Sequence, residues 1–249
     1  MKIGIAGYGY VGQAHEAALK DYHEILIRDP ALGHYADLQH ADAIIICVST
    51  PANDDGSCDY SNVYDIVSNS PPVPILIKST ISLEGWRKDL APMNKQITFS
   101  PEFLTAANAN EDFEKQNKML FGGGNSEFWN DVFILCKMFT PVYATVEELI
   151  MTKYLRNSFL ATKVAFFNEV SDLCKIANIS YNSVKDLVGM DERITPSHMQ
   201  VPGPDGELGF GGACFPKDTE ALLYSAHVVG VSMPILHAAV KSNNNKRKD

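Results

Sequence analysis

The segment Lys2–Gly12, KIGIAGYGYVG, decides how this chain is read. A run of apolar residues leads directly into Gly7, Gly9 and Gly12, spaced G-x-G-x-x-G. Each glycine answers a different steric demand. Gly7 lets the chain turn sharply out of a strand, Gly9 lets a pyrophosphate approach the backbone, and Gly12 lets the next helix pack closely on the strand. Tyr10 and Val11 sit inside the same turn, at the start of a helix whose first N–H groups face the phosphates. A second apolar run, EILIRD, ends in Asp29, seventeen residues after Gly12. A carboxylate there accepts hydrogen bonds from an adenosine ribose and favours NAD over its 2'-phosphorylated relative, although Arg28 beside it blurs that choice.

Outward from this loop, KIGIAG, EILIRD, DAIIICVST, PILIKST, QITFS and KMLFGG alternate with polar or helical stretches. That rhythm predicts an α/β fold, with residues 1–143 forming an N-terminal Rossmann domain whose parallel sheet carries helices on both faces. From Val146 the pattern changes to helical spacing without a Gly or Pro break. Roughly 30 residues at 1.5 Å each would span ~45 Å, so this long central helix is expected to bridge two domains or two subunits. A small all-helical domain completes residues 144–241. It contains the Pro/Gly-rich loop TPSHMQVPGPDGELGFGG and a last helix beginning near Pro216, and residues 242–249 read as a polar, solvated tail.

The 249 residues are 45% apolar, enough for a substantial core. A net charge of -9 argues against a nucleic-acid partner while leaving room for a small anionic ligand held by local cations. The N-terminus lacks the features of a secretory signal, and AIIICV is too short to span a bilayer, so no membrane partner and a cytoplasmic location are expected. Five cysteines with no C-x-x-C pair suggest neither a disulfide framework nor a metal site.

One cysteine stands apart. Cys214 lies in GFGGACFPKD, after Gly209, Gly211 and Gly212 and just before a helix for which Pro216 suits the first position. The positive end of that helix and the charge of Lys217 favour a thiolate, and the glycines leave room for a carbonyl carbon. Asp218 suits the third helical position and lies close enough to hydrogen-bond a substrate oxygen. On the long helix, Lys153 and Asn157 are four residues apart and share a face, where a cation and an amide together would stabilise an oxyanion.

Together GYGYVG, VSTP, KSTIS, SPEFL, KYLRNSFLATKVAFFNEV, DERI and GFGGACFPKD resemble the UDP-glucose/GDP-mannose dehydrogenase family, above all its UDP-glucose-oxidising branch. The resemblance implies an NAD-dependent, four-electron oxidation of the C6 alcohol of a nucleotide sugar, UDP-glucose to UDP-glucuronate, through a cysteine thiohemiacetal and thioester. It implies that Cys214 is the nucleophile, that Lys153, Asn157 and Asp218 serve the substrate oxygen, and that Thr80 and Glu102 handle the water and protons of hydrolysis. Thr50, Pro51, Thr80 and Lys217 are implied as cofactor contacts. Phe103, Leu104, Phe210, Gly211 and Gly212 are implied as substrate contacts, and Arg193 as an arginine reaching a neighbouring subunit's substrate. A carboxylate in a closing cleft can have its pKa raised, which suits Glu102 as a general base.

The chain departs from the family at three places. Ala106 stands where the family carries a second glutamate, the stretch after Asp29 is short, and the sequence ends about where relatives continue into a UDP-binding domain. These departures leave an alternative, a weakly active or inactive protein that binds NAD and nucleotide sugar and needs a partner to complete its site. A two-electron β-hydroxyacid dehydrogenase ranks last because it has no use for Cys214. An apolar face on the long helix suggests a homodimer packed through it.

Overall fold

Short apolar strands alternating with helices build the first part of the computed structural model, which describes residues 1–93, 95–105, 107–137 and 139–247. In chain order this part runs β1 (Lys2–Ala6), α1 (Tyr10–Leu19), β2 (Glu24–Asp29), β3 (His34–Tyr35), β4 (Ala43–Ile46), α2 (Ser61–Asn69), β5 (Ile75–Ile77) and α3 (Leu83–Gly85). It continues with β6 (Ile97–Phe99), α4 (Ala109–Lys115), β7 (Lys118–Gly123), α5 (Ser126–Ile134) and β8 (Thr140–Tyr143). The strands lie in the order β3-β2-β1-β4-β5-β6-β7-β8.

Strands β2, β1, β4, β5 and β6 pair in parallel, as the alternating pattern predicts. β4 and β5 are buried along their whole lengths, so they read as unbroken apolar runs. Two pairings correct the expectation of an all-parallel sheet, because β3 runs antiparallel to β2 and β7 antiparallel to β6. Between β6 and β7 the chain returns at the same end of the sheet, by way of α4, instead of crossing its face. Strand order reverses between β1 and β4, which opens the crevice at the carboxyl ends where open α/β sheets bind ligands. Trp129, Phe121 and Phe133 fill the core beneath.

The chain divides into two compact units, Met1–Asn53 with Cys58–Lys153, and Asp54–Ser57 with Tyr154 onward. The division falls inside α6 (Val146–Ile176), which is 31 residues long. α7 (Tyr181–Val188), α8 (Phe215–Val228) and α9 (Pro234–Lys246) complete the second unit. Its small core joins Phe210 to Ala161, Ala165 and Ala239, whose short side chains let the helices approach closely.

The C-terminal end differs from its sequence reading in two ways. α8 begins at Phe215 with Pro216 second, and it is not the last helix. Residues 242–246, read as a solvated tail, are the final turns of α9, and Asn243 is buried. Leu236, Ala239, Val240 and Asn243 recur at helical spacing, so one face of these polar turns packs inward. Among the described residues, no helix is long and apolar enough to cross a membrane.

The β1–α1 turn makes a direct prediction. A Cβ on Gly12 would lie 2.2 Å from the Gly7 carbonyl oxygen, whereas one on Gly9 would meet nothing within 4 Å. Gly12→Ala is expected to cost about 1–3 kcal/mol in urea unfolding and Gly9→Ala less than ~0.5 kcal/mol. Equal midpoints for the two variants would contradict this packing.

Candidate active site

The glycine loop has the form its spacing predicts. Gly7 adopts φ +89°, and a Cβ there would meet the Cys47 and Val48 backbone at 2.7 Å, so the turn lies tight against the chain leaving β4. Gly9 is exposed and caps α1 without a side-chain hydrogen bond, and no acidic residue occupies the helix's first turn. This end of α1 therefore offers N–H donors and a positive dipole to an anion. Asp29 ends β2, where Oδ2 accepts from the Tyr8 N–H at 2.7 Å and Oδ1 from Leu32 at 3.3 Å. The open approach over Gly9, the bare helix end and the anchored acid fit a pyrophosphate and ribose, so these residues would hold NAD.

Three of the motifs follow the carboxyl ends of successive strands. VSTP begins two residues after β4, KSTIS directly after β5, and SPEFL directly after β6. Ser79 Oγ braces the first of these loops through the Val48 carbonyl at 2.7 Å. Thr50 is buried, Pro51 exposed and Thr80 half-buried.

Glu102 lies at the centre of a buried charge cluster. Its Oε1 accepts from the Phe103 and Leu104 N–H groups at 2.7 and 3.0 Å, and its Oε2 lies 3.2 Å from the Lys78 ammonium. Lys78 also donates to Ser100 Oγ at 3.0 Å, while Lys153 donates to the Glu102 backbone carbonyl and sits over the Phe103 ring. Burial pushes the Glu102 carboxyl up, but Lys78, then His15, the Phe103 amide and Lys153 outweigh it and hold the group below its ordinary value. This corrects the expectation of a raised pKa: Glu102 is an ionised, strongly solvated-by-protein carboxylate. Leu104 belongs to the core, and Ala106 lies outside the described residues.

In the second unit, Asp218 is fully buried. Asn157 Nδ2 donates to its Oδ2 at 2.6 Å and the Lys217 ammonium to its Oδ1 at 2.5 Å. Asp218 is the fourth residue of α8, one later than expected, and its N–H donates to the Cys214 carbonyl at 2.9 Å. Cys214 is thus the N-cap of α8, half-buried and outside any disulfide. The charge of Lys217 is paired with Asp218, and Cys214 stands at the positive end of α8.

The loop before Cys214 is clamped by two asparagines that sequence reading missed. Asn168 Oδ1 accepts from Gly209 at 3.0 Å, and Asn243 bonds both the N–H and the carbonyl of Phe210, at 2.6 and 3.0 Å. Gly209 and Gly212 take φ +74° and +75°, which only glycine adopts cheaply. Gly211 faces the Arg247 guanidinium, where a Cβ would lie 2.1 Å from Cζ. The Phe210 ring is in the core, so any substrate contact there is made by backbone. Arg193 is exposed and pairs with Asp191 at 2.5 Å. No group of acids, histidines and cysteines able to hold a metal occurs among the described residues.

Residues 33–145 match the model of the UDP-glucose/GDP-mannose dehydrogenase family's NAD binding domain, and residues 147–245 that of its central domain. The glycine loop lies ahead of the matched span. A UDP-glucose 6-dehydrogenase of Rickettsia felis is 33% identical over 228 residues, covering 84% of this chain and 49% of that protein. The chain thus spans about half the length of the curated relatives it matches. Among solved structures, a UDP-glucose dehydrogenase from Pyrobaculum islandicum aligns with TM-score 0.84 and 25% identity, over 98% of this chain and 68% of that one. A 3-hydroxyisobutyrate dehydrogenase of Mycobacterium tuberculosis aligns at TM-score 0.73 with 19% identity, over 96% and 91%, which shows a shared fold alone.

The buried ionisable cluster sets a pH dependence. His15, wholly buried, is pushed down to about 4 by burial and then by Lys78, so its unfolded form binds the proton more tightly. Its stabilising contribution is complete above the ordinary value of 6.5 and is lost as pH falls towards 4, on the order of 3 kcal/mol. Glu102, also lowered, adds a loss in the same direction at lower pH. Urea midpoints should fall from pH 7 to pH 4.5, and less steeply in His15→Gln. Parallel curves for the two proteins would contradict the assignment.

Proposed function

Because the chain belongs to the UDP-glucose/GDP-mannose dehydrogenase family, we propose that it oxidises the C6 alcohol of a nucleotide sugar, UDP-glucose foremost, to the carboxylate, using NAD in the cytoplasm. The observation that carries this reading is Cys214 at the N-cap of α8, beside an Asp218 fixed by Lys217 and Asn157. A two-electron dehydrogenase of the same fold has no use for a sulfur so placed. The reduced compartment keeps that thiol available.

NAD, when bound, supplies the hydride acceptor for two successive oxidations. The chain's own residues supply the rest. Asn157 gives one amide N–H to Asp218 and carries a second for a substrate oxygen. Lys153, one turn earlier on α6, adds positive charge for the same oxyanion. The Cys214 sulfur adds to the C6 aldehyde to give a thiohemiacetal, so the half-oxidised sugar stays covalently held. Loss of hydride and proton leaves a thioester, and water attacks its carbonyl to release carboxylate and thiol. Glu102 takes a proton from that water, with Thr80 orienting it. Lys78 and Lys153 keep Glu102 ionised and ready to accept, at the expense of basicity. The backbone of Gly209–Gly212 and, from a second subunit, Arg193 contact the sugar nucleotide.

Incubated with NAD and a panel of nucleotide sugars, the chain should form about two NADH per sugar acid, the stoichiometry of a four-electron oxidation. UDP-glucose should be preferred, and Cys214→Ala should lower product formation by about 10³-fold or more, as loss of a nucleophile does elsewhere. Sugar acid formed at an undiminished rate by Cys214→Ala would sink the proposal, and NAD binding without turnover would favour a binding role.

The homodimer is proposed on α6. Leu155, Phe159, Phe166, Leu173 and Ile176 follow heptad spacing and are 49% to 86% exposed. An apolar stripe of that length favours a partner surface, here a second copy of the same helix. Sedimentation should report a dimer at micromolar concentration, and Phe159→Glu with Phe166→Glu a monomer. A monomeric wild-type chain would contradict it.

A further inference from the structure

We propose that His15 is a positioning residue for Glu102: the two side chains form a seat for a single proton, held between Glu102 Oε2 and His15 Nε2 once it reaches the carboxylate. His15 lies on α1, one turn after Val11, with a ring that is entirely buried. Its Nδ1 lies 2.8 Å from the Val11 carbonyl oxygen. A carbonyl can only accept, so Nδ1 bears the hydrogen, and in the neutral ring Nε2 is left as an acceptor. That Nε2 points at Glu102 Oε2 from 4.0 Å; Nε2 makes no hydrogen bond within the protein, and Oε2 is in ion-pair contact with the Lys78 ammonium at 3.2 Å without a well-aligned hydrogen bond. Lys78 approaches Oε2 alone, so the two acceptors still face each other without a donor on the line between them, and a proton on either one supplies it.

The surroundings fit this assignment. Phe113 and Phe133 meet the imidazole ring edge-on at 5.4 and 5.7 Å between centroids, so the ring has no solvent to turn towards. The charged and titratable groups facing the pair are Lys78, Lys153 and the Cys47 thiol, the last kept neutral by burial. The two lysines balance the Glu102 anion. When a proton arrives they no longer have a partner there, and the acceptor on His15 is what keeps the new O–H bonded. Closing 4.0 Å to hydrogen-bond distance takes a movement of about 1 Å. The electron count does not change. The carboxylate becomes a carboxylic acid, its O–H donates to Nε2, and the Nδ1 hydrogen stays on Val11.

That this proton is the one taken from water during thioester hydrolysis rests on the function proposed above, whereas the existence of the seat does not. The test therefore has two arms. In the full chain labelled at histidine with ¹⁵N and at glutamate with ¹³C, His15 should show the Nδ1–H tautomer at neutral pH. On acidification, the Glu102 carboxyl and His15 Nε2 signals should move together. Glu102→Gln should lower the proton affinity of His15 by about tenfold or more, the scale for loss of a unit charge 4.0 Å away in a protein-like dielectric. An Nε2–H tautomer in the wild type overturns the proposal whether or not the variant folds, as does an unchanged His15 midpoint in Glu102→Gln. In the kinetic arm, His15→Phe should shift the acid limb of the kcat profile and leave the KM for NAD unchanged. An unmoved limb, with Glu102→Gln inactive, overturns the catalytic half of the proposal. Full turnover by Glu102→Gln would instead sink the reading of Glu102 as base and leave the spectroscopic result standing.

Discussion

A carboxylate taken wholly out of water must be met by charge and donors, and Asp218 is such a group. Breaking a buried ion pair costs about 3–5 kcal/mol, several times the ~1 kcal/mol of an ordinary helix cap. The Asn157 amide therefore ties the first turn of α8 to α6, while Lys217, the neighbour of Asp218 on α8, balances the buried charge. Cys214 sits at the head of that turn, so satisfying Asp218 also fixes the backbone that carries the sulfur. The clamps of Asn168 and Asn243 on Gly209 and Phe210 do the same for the loop leading into it.

The first unit solves an equivalent problem by different means. Parallel strands deliver their connecting loops to one end of the sheet, and VSTP, KSTIS and SPEFL all leave from that end. Glu102, buried there, is held by two of its own loop's amides and by lysines from β5's end and from α6. Burial alone would neutralise it, and the lysines prevent that. The consequence is a carboxylate that stays charged but is a weaker base than an isolated buried acid. Where its proton rests then becomes a question about its neighbours, His15 first among them.

Much of this was readable in the residues. The G-x-G-x-x-G spacing, the alternation of apolar runs and the unbroken helical pattern from Val146 each follow a local rule, and β1, α1 and α6 obey it. Cys214, Lys153, Asn157 and Asp218 were identifiable by motif, and Asn157 and Asp218 do meet. What failed depended on partners distant in sequence. The polarity of KSNNNK concealed a helical face anchored by Asn243, because a buried asparagine looks hydrophilic until its backbone partners are known. His15 and Lys78 carry no signal in one chain, since their meaning lies in a contact with Glu102. The direction of the Glu102 shift was misread for the same reason: a cleft raises a carboxyl pKa, but two nearby ammonium groups lower it further.

The central claim is that one sulfur holds the sugar between its two oxidations, and it can be tested by trapping. The Glu102→Gln chain, mixed with NAD and UDP-glucose, quenched in acid and digested, is measured by mass spectrometry of the peptide bearing Cys214. The account predicts the nucleotide-sugar mass attached through that cysteine, at the oxidation level of a thioester. An unmodified Cys214, or an adduct on another residue, would contradict it.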